Sequence, residues 1–126
     1  MNGNPFATSL NTLHRAAELG QISPEVVRLL ERPKRQFEFT IPVRMDNGSL
    51  QIFRAFRVHY CDALGQVKNG VRVVPDMDMD TAKALGFWMA IKHAVAGIPA
   101  GGGKGGIRAD PSKLSRREYD AMIRGY

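Results

Sequence analysis

Residues 37–60 read FEFTIPVRMDNGSLQIFRAFRVHY, and the reading of this stretch decides the fold class. Phe37, Phe39, Ile41, Val43 and Met45 alternate with Glu38, Thr40, Pro42 and Arg44, the period of two expected of a half-buried strand. Pro42 has no backbone N–H to give, which suits a strand with one side that needs no partner. Asp46-Asn47-Gly48-Ser49 is a strong turn signal, and Leu50, Ile52, Arg54, Phe56, Val58 and Tyr60 make a second alternating run. The two runs are therefore expected to pair as an antiparallel hairpin. Arg54 is the one misfit on the apolar face of the second run.

Upstream of the hairpin the period is helical. Phe6, Leu10, Leu13 and Ala17 recur at three- and four-residue spacing, with Gly20 as the expected stop. Ser23 followed by Pro24 reads as an N-cap and first-turn pair for a second helix to about Glu31, closed by Pro33. Downstream, Gly65, Gly70 and Pro75 punctuate an irregular stretch that holds one short strand, Val71 to Val74. Asp78 or Asp80 caps a long helix from about Met79 to Ala96, which carries the only tryptophan, Trp88. Gly97 to Gly106 reads as a glycine-rich loop and Ile107 to Asp110 as a further turn. Ser115 caps a last helix whose apolar positions, Tyr119, Met122, Ile123 and Tyr126, are still running at the final residue. With no C-cap there, the expectation is a chain cut off inside that helix. Helices around a hairpin give an α/β class.

Composition narrows the function. The 126 residues carry a formal charge of +6, are 44% hydrophobic and 24% charged, and fit one globular domain. The single cysteine, Cys61, cannot form an internal bridge, and no Cys/His grouping suggests a metal site, so a reducing compartment is expected. No signal peptide or apolar run of about 20 residues is visible, so the expected location is cytoplasmic, with no membrane partner. The basic groups Arg32, Lys34, Arg35 and Lys113, Arg116, Arg117 are interrupted by acidic residues, a solvated surface instead of a nucleic-acid interface.

Three lysines stand out. Lys92 lies four residues after Trp88, three after Met89 and three before Val95, so it shares their apolar helix face; it either snorkels or meets an anion in a polar cleft. Lys104 is set among Gly101, Gly102, Gly103, Gly105 and Gly106, where the backbone can approach a ligand closely. A phosphate loop is excluded, because that pattern needs glycine at Ile98 and a hydroxyl at Gly105. A G-x-G-x-x-G spacing does exist at Gly101, Gly103 and Gly106, but no clear strand precedes it. Lys68 sits in a turn before the Val71 strand. Three lysines on or beside loops suit a substrate with two carboxylates.

Taken in order, Lys68-Asn69-Gly70-Val71-Arg72, then Ala84 to Val95 (ALGFWMAIKHAV), then Ile98 to Ile107 (IPAGGGKGGI) closely resemble the amino-terminal domain of the glutamate dehydrogenase family. Ile41 to Gly48, Phe56-Arg57-Val58, Asp110-Pro111 and Leu114-Ser115 extend the likeness from about Phe6 to the end. The resemblance implies a mixed sheet that contains the hairpin and is flanked by helices, in a substrate-binding and oligomerisation domain spanning 1–126. It implies an oxidoreductase that interconverts L-glutamate with 2-oxoglutarate and ammonia using NAD or NADP, in a hexamer. It also assigns roles: Lys104 to proton transfer, Lys92 to the α-carboxylate, and Lys68 to the side-chain carboxylate, a position that is apolar in the related leucine, valine and phenylalanine dehydrogenases. The pattern departs at Asn69, usually glycine, and at Val73-Val74, usually an aromatic-histidine pair. The catalytic aspartate and the dinucleotide-binding domain of that family lie beyond the last helix. This chain alone is therefore expected to bind no cofactor and to be inactive. The alternative is a catalytically silent module that co-assembles with a full-length dehydrogenase.

Overall fold

A computed structural model describes residues 3–126. Two helices open the chain, α1 (Pro5–Gly20) and α2 (Pro24–Leu30). The hairpin strands β1 (Arg35–Arg44) and β2 (Leu50–Cys61) follow, then the short β3 (Val67–Lys68) and β4 (Val71–Val74). The long helix α3 (Met79–Ala96), strand β5 (Gly101–Arg108) and helix α4 (Arg116–Gly125) complete the described residues.

Local chemistry sets most boundaries. The Asn4 side chain accepts from the N–H groups of Phe6 and Ala7 at 2.9 and 3.1 Å and starts α1. Gly20 does not supply the stop: it is still helical, and Gln21 takes the left-handed conformation, φ 50°, that ends the helix. Ser23 caps α2 as expected, and Asp78 caps α3 by accepting from the Thr81 N–H at 2.7 Å. Gly97 closes α3 at φ 65°. In the hairpin turn, Met45 donates to the Ser49 carbonyl at 2.8 Å and Gly48 adopts φ 84°.

The main correction concerns the glycine-rich segment. Only Gly97 to Ala100 is loop; Gly101 to Arg108, including Ile107 and the stretch expected to turn, is an interior strand of the sheet. Strand order is β1-β2-β5, with β3 and then β4 along the far edge of β5. β5 pairs antiparallel with β2 (Val58 opposite Lys104) and parallel with β3 and β4 (Lys68 opposite Gly102, Arg72 opposite Gly106). The sheet is therefore mixed, and β1 with Pro42 is an edge strand.

Both faces of this sheet are covered. Phe56, Val58 and Tyr60 of β2 pack with Leu13, Met77, Ala82 and Phe87 beneath α1, α2 and α3. On the other face Ile41, Val43, Phe53, Ala55 and Ile107 pack against Met122 of α4. The hairpin forms as expected, and its register sets which faces coincide. Ile41 stands opposite Phe53, so the apolar face of β1 lines up with Phe53 and Ala55, not with the Leu50-to-Tyr60 series. Phe56, Val58 and Tyr60 are buried on the α3 side, whereas Leu50 and Ile52 run out from under the helices and are 54% and 61% exposed. Arg54 lies at that uncovered end, where it pairs with Glu38 of β1 at 2.5 Å.

Helix α4 is locked by a capping box: Glu118 N–H donates to Ser115 Oγ at 3.2 Å, and Ser115 N–H donates to Glu118 Oε2 at 2.8 Å. The other oxygen of the buried Glu118 accepts from the Asp46 N–H at 2.8 Å, joining the helix to the hairpin turn. The Asp46 and Ser115 N–H groups hold the Glu118 carboxyl below its ordinary value of 4.5. A depressed carboxyl stabilises the fold above its unfolded-state pKa and loses that contribution as pH falls through the folded-state value. Glu118→Gln should therefore lower the thermal midpoint near pH 7, with the difference from the parent shrinking as pH falls through the lowered Glu118 titration. A constant difference across pH in thermal melts would refute this.

Candidate active site

The glycines of β5 are explained by what presses on them. A Cβ on Gly102 would sit 2.3 Å from the Ala90 backbone nitrogen of α3, and one on Gly106 would collide with the Met77 side chain. On the opposite face a Cβ on Gly105 would meet the Tyr126 hydroxyl at 2.2 Å, and one on Gly103 would meet Val67. Helices and neighbouring strands thus lie directly on a strand stripped of side chains, and Lys104 is the one long side chain at its centre. Lys104 faces the α3 side, because it stands opposite the core residue Val58.

Lys68 comes to the same side. Val67 packs toward Gly103 on the α4 face, so the next residue, Lys68, projects on the α3 face beside Gly102. The third lysine, Lys92, reaches the group from α3. Burial first, and then the cations Arg72, Lys92 and Arg57, push the pKa of Lys104 below the ordinary lysine range. The expected apolar face around Lys92 is corrected: Lys92 is exposed, Trp88 and Met89 are only half-buried, and Val95 is 84% exposed. The core side of α3 is instead formed by Ala82, Gly86, Phe87 and His93. Lys92 therefore borders an open face of the molecule.

Sequence reasoning missed the residues that hold this arrangement. The buried His93, next to Lys92, directs Nδ1 at the carbonyls of Ala100 and Gly101, at 3.1 and 3.2 Å, so this nitrogen carries the proton and ties the end of α3 to the start of β5. Asn69 Oδ1 accepts from the Gly103 N–H at 3.2 Å, and Arg57 donates to the Asn69 carbonyl at 3.1 Å. These contacts depend on register, which leaves no mark in residue spacing.

Chemically, the group can bind carboxylates and can move a proton at Lys104 Nζ. It does not fit a dinucleotide. The G-x-G-x-x-G spacing of Gly101, Gly103 and Gly106 lies wholly inside an extended strand, with no helix beginning there to point its N–H groups at a pyrophosphate. Among the described residues all strands belong to one mixed sheet, and none to a doubly wound fold.

Residues 33–126 match the model of the Glu/Leu/Phe/Val dehydrogenase dimerisation domain. The chain belongs to that family. It is 42% identical over 125 residues to an NADP(+)-dependent glutamate dehydrogenase of Pyrobaculum calidifontis, covering 99% of this chain and 30% of the relative. The crystal structure of glutamate dehydrogenase from Peptoniphilus asaccharolyticus superposes with a TM-score of 0.94 at 41% identity, over 98% of this chain and 31% of that one. A hetero-hexameric glutamate dehydrogenase from Thermus thermophilus, in a Leu-bound form, gives 0.94 at 36% identity over 100% and 30%. The chain thus spans about 30% of the length of the dehydrogenases it matches, at their amino-terminal region. Membership in this dehydrogenase family agrees with the mixed sheet flanked by helices.

Proposed function

We propose that residues 1–126 are the substrate-binding and oligomerisation domain of a glutamate dehydrogenase, and that L-glutamate or 2-oxoglutarate is held among Lys68, Lys92 and Lys104. The observation that supports this reading is that Lys68 of β3 and Lys104 of β5 stand on the α3 face of the sheet, where Lys92 of α3 is close enough to lower the pKa of Lys104. Two carboxylates need two cations. Lys92 would take the α-carboxylate and Lys68 the side-chain carboxylate. Lys104, its pKa lowered by burial and by neighbouring cations, would then remain free to accept a proton from the substrate amine or from water.

NAD or NADP would supply the hydride acceptor, and relatives of both specificities match the chain. Since β5 offers no pyrophosphate site, that chemistry belongs to residues other than these, and the chain by itself should transfer no hydride. The edge strand β1, with Phe37 48% exposed, is where we place pairing with a second copy, in a cytoplasmic homo-oligomer, a hexamer in the complete enzyme. The hetero-hexameric make-up of the Thermus thermophilus relative favours a second reading, co-assembly of this chain with an unlike, full-length subunit. Co-elution with such a subunit would support that one.

Calorimetric titration with 2-oxoglutarate tests the main reading. Binding with a dissociation constant on the order of 1 mM, weakened by added salt, is expected, together with no cofactor reduction when glutamate and NAD or NADP are supplied. Absence of binding at tenfold higher concentration would overturn the assignment.

A further inference from the structure

We propose that Asn69 is a positioning residue: its side chain supplies one rung of the ladder between the β3–β4 edge and β5, and so fixes where Lys104 stands relative to Lys68. The ladder shows the substitution directly. Gly101 N–H donates to the Gln66 carbonyl at 2.9 Å and Gly105 N–H to the Gly70 carbonyl at 3.1 Å, both backbone rungs. Between them, Gly103 N–H donates to Asn69 Oδ1 at 3.2 Å. A side-chain amide therefore fills the place that a backbone carbonyl holds on either side.

The consequence for register is specific. Lys68 stands opposite Gly102 and Val71 opposite Gly105, so both strands advance by three residues across the gap and no offset accumulates. Asn69 and Gly70 can depart from strand geometry while the pairing on both sides of them is kept, because the Asn69 amide spans the break. A second tether acts on the same residue: Arg57 of β2, which stands opposite Gly105, donates to the Asn69 carbonyl at 3.1 Å. Asn69 is thus bound by its side chain to the residue preceding Lys104 and by its backbone to a strand on the far side of β5. It also directly follows Lys68. A residue without a side-chain acceptor at this position would leave the Gly103 N–H without its partner.

The charged groups bearing on Lys104 come from each surrounding strand and from the helix: Arg57 on β2, Arg72 on β4 and Lys92 on α3, with Lys68 on β3 on the same face. Their influence depends on where the Lys104 backbone is held. Releasing the Gly103 rung should let Lys104 move off this cationic group and titrate nearer to a free lysine. Only the functional meaning of that spacing rests on the substrate reading above.

The experiment is amide hydrogen exchange by NMR on the 126-residue chain, with a separate titration of labelled lysine side chains. In the parent, Gly103 should be protected as Gly101 and Gly105 are. In Asn69→Ala it should exchange about tenfold faster while Gly101 and Gly105 keep most of their protection, and the Lys104 titration midpoint should rise. Asn69→Asp, which keeps an acceptor oxygen, should restore Gly103 protection. An unprotected Gly103 in the parent would overturn the proposal even if Asn69→Ala failed to fold. A faster Gly103 with an unmoved Lys104 midpoint would reduce Asn69 to a purely structural role and equally overturn it. Failure of 2-oxoglutarate to bind the parent would sink the substrate reading and leave these two readouts standing.

Discussion

Gly102→Ala should destabilise the domain by about 3 kcal/mol or more, toward the upper end for overpacking a core. The added methyl would lie 2.3 Å from Ala90 N, 2.4 Å from its Cα and 2.4 Å from its Cβ. Two of these atoms are helix backbone, so no rotamer change relieves the clash, and α3 as a whole must lift from β5. That helix carries Phe87, 2% exposed, into the core beside Tyr60 and Phe56, so lifting it opens gaps throughout that cluster. Gly70→Ala is the control: nothing lies within 4 Å of its would-be Cβ, and a change under about 0.5 kcal/mol is expected. Denaturant midpoints measure both. If Gly102→Ala cost less than about 1 kcal/mol, α3 would not rest on this strand as described.

That same close approach explains what the sequence could not reveal. Helices α1 to α4 and the β1–β2 hairpin were legible because apolar residues recur with a period and caps mark the ends: Ser23, Asp78 and Ser115 each cap the helix expected of them. Strand β5 has no period to read, since GGGKGG carries one side chain in six. Its extended conformation is imposed by β2 on one side and by β3 and β4 on the other. Glycine there is a condition of packing and does not mark a flexible loop. The hairpin was legible as an antiparallel pair, but which faces of its two alternations coincide is fixed only by pairing Ile41 with Phe53.

The candidate site divides along the same line. Lys104 was legible because a lone charge among glycines is a compositional anomaly. Lys92 was placed on the correct helix, but its apolar neighbours misled: Val95 shows that an apolar side chain at helical spacing need not be buried. Asn69, Arg57 and His93 were not legible, because each acts through a backbone group more than six residues away that only the folded register brings near.

On the proposed assignment of Lys92 and Lys68 to the two carboxylates, Lys92→Ala and Lys68→Ala should each weaken 2-oxoglutarate binding by roughly tenfold to a hundredfold, the loss of one charge-assisted contact of about 1.5–3 kcal/mol. Both lysines are exposed, which argues for the lower end. The two losses should differ in what they depend on. With 2-oxopentanoate, which lacks the second carboxylate, Lys68→Ala should bind as the parent does, whereas Lys92→Ala should still lose its tenfold. Equal losses with both ligands would mean that the lysines are not assigned to separate carboxylates. Lys104→Arg adds the remaining arm. Arginine keeps the positive charge but does not release its proton near neutral pH, so binding should survive within about threefold while any proton transfer at this position is lost. In a protein that joins residues 1–126 to the cofactor-binding part of a related glutamate dehydrogenase, that variant should retain affinity for 2-oxoglutarate and lose turnover. A tenfold loss of affinity in Lys104→Arg would instead mean that Lys104 grips the substrate, and the division between holding and proton transfer would fail.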